Sequence, residues 1–119
     1  MQVSARILVE LDIFSGRPNP TWLLTTAEAE SFGRRLAALR RSSPCEISSR
    51  LGYRGLIVDV AHGTQARLVR VQSGCVQIVE DDTTAHAHDE ERELERWLIE
   101  TGRPHLMQDV IEIVERGLR

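Results

Sequence analysis

Apolar residues occupy every second position from Val3 to Ile13 (Val3, Ala5, Ile7, Val9, Leu11, Ile13), with Ser4, Arg6, Glu10 and Asp12 on the other parity. A period of two over that length predicts a strand. Leu8 and Phe14 fall on the polar parity, which predicts that the outer face of this strand is partly covered. After a proline-rich break, "TTAEAESFGRRLAALRR" changes the period: Phe32, Leu36 and Leu39 recur at helical spacing. Thr25 stands three residues before Glu28, the spacing of a capping box. Arg34, Arg35, Arg40 and Arg41 gather late in this predicted helix, where positive charge complements the dipole, and Pro44 ends it.

"YRGLIVDV" has the composition of a buried strand, and "ARLVRVQSGCVQIVE" reads as two strands turning at Ser73 and Gly74. A turn near His62 and Gly63 joins the first of these to the second, giving a three-strand meander. "DDTTAHAHDEERELERWLIETG" leads into a helix with Leu94, Trp97, Leu98 and Thr101 on its buried stripe, acids at its start and Gly102 past its end. Pro104 suits the first turn of a further helix carrying Met107, Val110, Ile111, Val114 and Leu118. The order β-α-β-β-β-α-α predicts one α+β domain over residues 1–119, with a mainly antiparallel four-stranded sheet and helices packed on one face.

Composition narrows the chemistry. The 119 residues are 41% hydrophobic and 28% charged, ordinary for one globular domain. All 15 basic residues are arginine, which removes Schiff-base catalysis, a phosphate-loop lysine and a lysine general base. The net charge of -3 divides unevenly: Met1 to Val79 holds ten Arg and six acids (+4), Glu80 to Arg119 five Arg and twelve acids (-7). Internal complementarity accounts for the split, and the total is too low for general nucleic-acid binding. Charges interrupt the first residues, so neither a secretory leader nor a membrane span is expected, and the chain reads as cytoplasmic. In that compartment Cys45 and Cys75, far apart and outside any CxxC, are expected as reduced, buried hydrophobes.

Two segments carry candidate sites. In "FSGRPNPTW", Pro18 and Pro20 hold Arg17 and Asn19 extended, so the loop is organised before anything binds. Arg17 offers a planar fork for carboxylate or phosphate, Asn19 a donor and an acceptor, Ser15 and Gly16 further donors, and Trp22 a flat wall. The structural counterpart has Arg17 paired with an acid such as Asp12, Asn19 capping its own turn and Trp22 in the core. In "HAHDEE", His86 and His88 point the same way if extended, and with Asp89 they form a candidate site for a divalent transition metal, with Asp82, His62 or His105 as further donors. Arg50 and Arg54 are a lesser anion site. No histidine or cysteine has the local partners of a catalytic pair, so no catalytic residue is assigned.

The expected function is a binding or accessory module that recognises an anionic group on a peptide, protein or small molecule through Ser15, Gly16, Arg17, Asn19 and Trp22, without a cofactor. The alternatives are a metal-binding protein or metal-dependent enzyme at His86 and His88, and a structural homodimer sealed by the last helix.

Overall fold

The computed structural model describes residues 5–119. The period-two stretch forms strand β1 (Arg6–Leu11), with Ile7, Val9 and Leu11 buried, while Val3 and Ser4 lie outside the described residues. β2 (Thr21–Leu23) follows the proline loop and pairs antiparallel with β1, Val9 opposite Trp22. Helix α1 (Thr26–Ala38) begins at the predicted capping box: the Thr25 side chain accepts from the Glu28 amide and the Glu28 carboxylate accepts from the Thr25 amide. It stops at Ala38, short of the expected end, because Arg40–Arg41 leave the helix as the two-residue strand β3.

The meander is present as β4 (Leu56–His62), β5 (Gln65–Gln72) and β6 (Cys75–Glu80). Ser73 (φ 48°) and Gly74 (φ 90°) both take positive φ between β5 and β6, as a two-residue hairpin turn requires. The chain then forms β7 (Thr83–His88) before a 3-10 turn (Glu90–Arg92) and α2 (Glu93–Gly102). Pro104 sits in a second 3-10 turn (Arg103–His105), and α3 (Gln108–Gly117) starts after it.

The sheet therefore has seven strands, not four, all antiparallel in the order β2-β1-β4-β5-β6-β7-β3. The three added strands are short or weakly patterned. β2 and β3 are shorter than any periodic window, and the inward parity of β7 is Thr83, Ala85 and Ala87, polar or small side chains that give little hydrophobic alternation. The α+β class stands. No helix of the described residues is long and apolar enough to cross a membrane.

One core joins the inward parity of the sheet (Val9, Val58, Val69, Val71, Val76) to Phe32 and Leu36 of α1, Leu94 and Leu98 of α2, and Val110 and Val114 of α3. Trp22 ties the edge of the sheet to α2: its indole Nε1 donates to Thr101 Oγ1 at 3.0 Å, and a Cβ at Gly102 would come within 2.3 Å of its ring. Gly102 is the last residue of α2 rather than the first beyond it, and close approach rather than backbone freedom requires glycine there.

Residues 42–55 cross the opposite face of the sheet without regular structure. Gln72 holds this segment with bonds to the Ser48 amide and to the Ser48 and Arg54 carbonyls, and Gln77 donates to the Cys45 carbonyl. Cys45 and Cys75 are joined in a disulfide that pins the segment to β6, so they are not the free thiols expected. Their separation along the chain hid the pairing, which depends on the 42–55 segment folding back over β6. A disulfide suits an oxidising compartment, so the expectation of reduced thiols, which followed from a cytoplasmic reading, is corrected.

Candidate functional site

The proline loop is braced from within. Asn19 Oδ1 accepts from the Ile13 and Phe14 amides at 3.1 and 2.7 Å, while its Nδ2 donates to Glu10 at 2.8 Å. Trp22 is buried. Asn19 and Trp22 thus set the shape of the loop, and Ser15, Gly16 and Arg17 stand exposed at its tip. Arg17 does not pair with Asp12; its guanidinium lies 3.8 Å over the Phe14 ring. That stacking limits the motion of the side chain while leaving its N–H fork open to a ligand.

Asp12, just before the loop, has two other arginine partners. Arg54 donates to Asp12 Oδ1 from Nε (3.1 Å) and Nη2 (2.9 Å), and Nη2 also reaches the Phe14 carbonyl. Arg70, from the outward parity of β5, brings Nη2 to 3.6 Å of Asp12 Oδ2 while its buried Nε has no partner. Arg50 bonds the Tyr53 carbonyl through Nε and accepts Arg54 Nη1 at its own carbonyl. Backbone bonds lock the two loops together, Asp12 N–H to the Gly55 carbonyl and Arg54 N–H to the Asp12 carbonyl.

The proline loop and the segment of Arg50 and Arg54 therefore meet where Arg54 reaches Asp12 and the Phe14 carbonyl. Arg70 was not among the sequence candidates. Its one signal was a charged side chain in the middle of a strand otherwise built from valine and leucine.

His86 and His88 lie two apart on β7, so they share a face, but Asp89 does not join them as a free ligand. Its buried carboxylate accepts the Leu94 and Glu95 amides at 2.8 and 3.0 Å and closes the start of α2. Burial raises the Asp89 pKa, and these two amides partly offset it. Among the described residues no group of three or more His, Cys, Asp or Glu side chains is placed to hold a metal ion.

The chain matches no protein-family model, no curated protein and no solved structure. The assignment of function rests on the side chains alone.

A second cluster, centred on a buried carboxylate, is structural. Glu95 is fully buried and satisfied on both oxygens: Oε1 accepts from the Ser73 amide (3.0 Å) and Arg92 Nε (2.9 Å), Oε2 from the Tyr53 hydroxyl (2.5 Å) and Arg92 Nη2 (2.7 Å). Arg92 also donates to the Gly117 carbonyl, so one side-chain pair joins the β5–β6 turn, the start of α2 and the end of α3. Glu91 and Arg92 both adopt left-handed backbone (φ 56° and 58°), a conformation costing about 1–2 kcal/mol per residue that these bonds offset.

Burial first, then the Glu95 charge, pushes the Tyr53 phenol far above its ordinary pKa. The folded protein therefore keeps a proton that the unfolded chain gives up above about pH 10, and stability falls as pH rises past that point, by up to ~1.4 kcal/mol per pH unit. The chain has one tyrosine, no lysine and no free thiol, so few other groups titrate in this range. Urea midpoints between pH 9 and 11 are expected to fall for the native protein and to stay level for Tyr53→Phe.

Proposed function

We propose that this protein is a small binding or accessory module that recognises an anionic group, a carboxylate or a phosphate, on a peptide, protein or small molecule at the arginine cluster around Phe14. The observation that carries this reading is the charge balance of the cluster: Arg54 and Arg70 share one buried carboxylate, Asp12, while Arg17 stacks on Phe14 and Arg50 adjoins Arg54 through its backbone, neither with a carboxylate partner of its own among the described residues. Even with Glu10, which Asn19 engages, positive charge is in excess.

Arg54, held at two atoms by Asp12, is the fixed wall. Arg17, Arg50 and Arg70 supply the N–H groups that a planar or tetrahedral anion would accept. Because Asn19 and the two prolines already order the loop, little conformational entropy is lost on binding.

Titration by two-dimensional NMR with inorganic phosphate, acetate and an acidic peptide tests this reading. Shifts are expected at Phe14 and at the Arg17 and Arg70 side chains, weakening with added salt. Arg17→Ala with Arg70→Gln is expected to lower affinity about tenfold, the loss of roughly 1.4 kcal/mol. Unchanged affinity in the folded double variant would sink the assignment.

A further inference from the structure

A groove of about 450 Å³ opens between the end of α1 and the start of α2, and it shares no lining residue with the arginine cluster. That volume lies within the range of pockets that hold small molecules. Its apolar lining is Ala38, Leu39 and the nearly fully buried Leu94, and its charges, the buried Asp89 aside, divide by element. Arg40 of β3 and Arg35 of α1 stand on one part of the chain, Glu90 and Glu93 of the 3-10 turn and α2 on another.

Arg35 is held in place, its Nε bonded to Ser31 and its guanidinium 4.5 Å over the Trp97 ring. Among the described residues, Arg40, Glu90 and Glu93 enter no ion pair, with one another or with any other group. Opposite charges that line one groove without pairing leave a gap for a ligand carrying both signs.

We infer that this groove is a second binding site, for a small zwitterion with a free ammonium and a free carboxylate, an α-amino acid or a short peptide. The carboxylate meets Arg40 and Arg35, whose guanidinium N–H groups donate to it as a fork, and the ammonium donates to Glu90 and Glu93. An aliphatic side chain covers Leu39 and Leu94. The inference is independent of the anion site at Phe14, and either site can fail without the other.

L-leucine and L-leucyl-L-leucine are the probes, followed by calorimetry and by NMR shifts at the Leu39, His88 and Leu94 amides. Saturable binding is expected, weakened about tenfold by N-acetylation and about tenfold by C-amidation, each the loss of one charged contact. Arg40→Ala is expected to bind the free acid and its amide alike, and Glu93→Gln to bind the free and acetylated amines alike. Both side chains are exposed and unpaired, and the blocked ligands test the idea without any variant. Binding by only one probe identifies the source as amino acid or peptide and supports the site. No saturable binding by either probe, or binding that one or both blocked ends leave intact, overturns it.

Discussion

Glu95→Ala is expected to destabilise the protein by about 3–5 kcal/mol, the cost of breaking a buried ion pair from one side. The residue is fully buried, and its removal leaves the Tyr53 hydroxyl, the Ser73 amide and the Arg92 guanidinium without their shared acceptor. Three separate parts of the chain lose their common anchor, so the loss should appear as one cooperative fall in the urea midpoint and in the melting temperature, not as local fraying. Arg92→Ala on its own leaves the carboxylate buried with only the neutral Tyr53 and Ser73 donors. The double variant should therefore be less destabilised than the sum of the singles, with a coupling of about 1–3 kcal/mol. Additive losses would mean that the pair acts only through packing.

Loss of the Cys45–Cys75 disulfide is expected to cost about 3–4 kcal/mol. The bridge spans 30 residues of sequence, and closing a loop of that length removes much of the freedom of the unfolded chain. Urea unfolding of the native protein against Cys45→Ser with Cys75→Ser measures the difference. The double variant should keep its sheet, because Gln72 and Gln77 still hold the 42–55 segment by side-chain bonds, while amide exchange at Ser48 quickens. An unchanged midpoint would show that the unfolded chain gains nothing from release of the bridge.

The elements legible in the sequence are those whose stability is local. Thr25 and Glu28 cap α1 because both partners lie within one turn, and Ser73–Gly74 turns the chain because two adjacent residues accept positive φ. Reading β1 from its alternation, the apolar stripe of α2 and Val110, Ile111 and Val114 of α3 needed only the period of each element, whereas Met107, expected on the same stripe, precedes α3 and is exposed. Arg40 and Arg41 misled because arginine is a good helix former, whereas pairing with His88 and Ala87 draws them into the sheet. At the candidate site the same division holds. The rigidity of the proline loop could be read from Pro18 and Pro20, but Asn19 and Trp22 turned inward and Arg70 came from a strand some fifty residues away.

Sequence by itself determined the α+β class, an arginine-only basic complement and a stiff loop before the first helix, because composition and short-range periodicity are properties of the chain. Tertiary structure decided that the sheet has seven strands, that Cys45 meets Cys75, and that Asp12 pairs with Arg54 and Arg70 instead of Arg17. Each of these is a contact between residues distant in sequence, specified by burial and register, which no local pattern encodes.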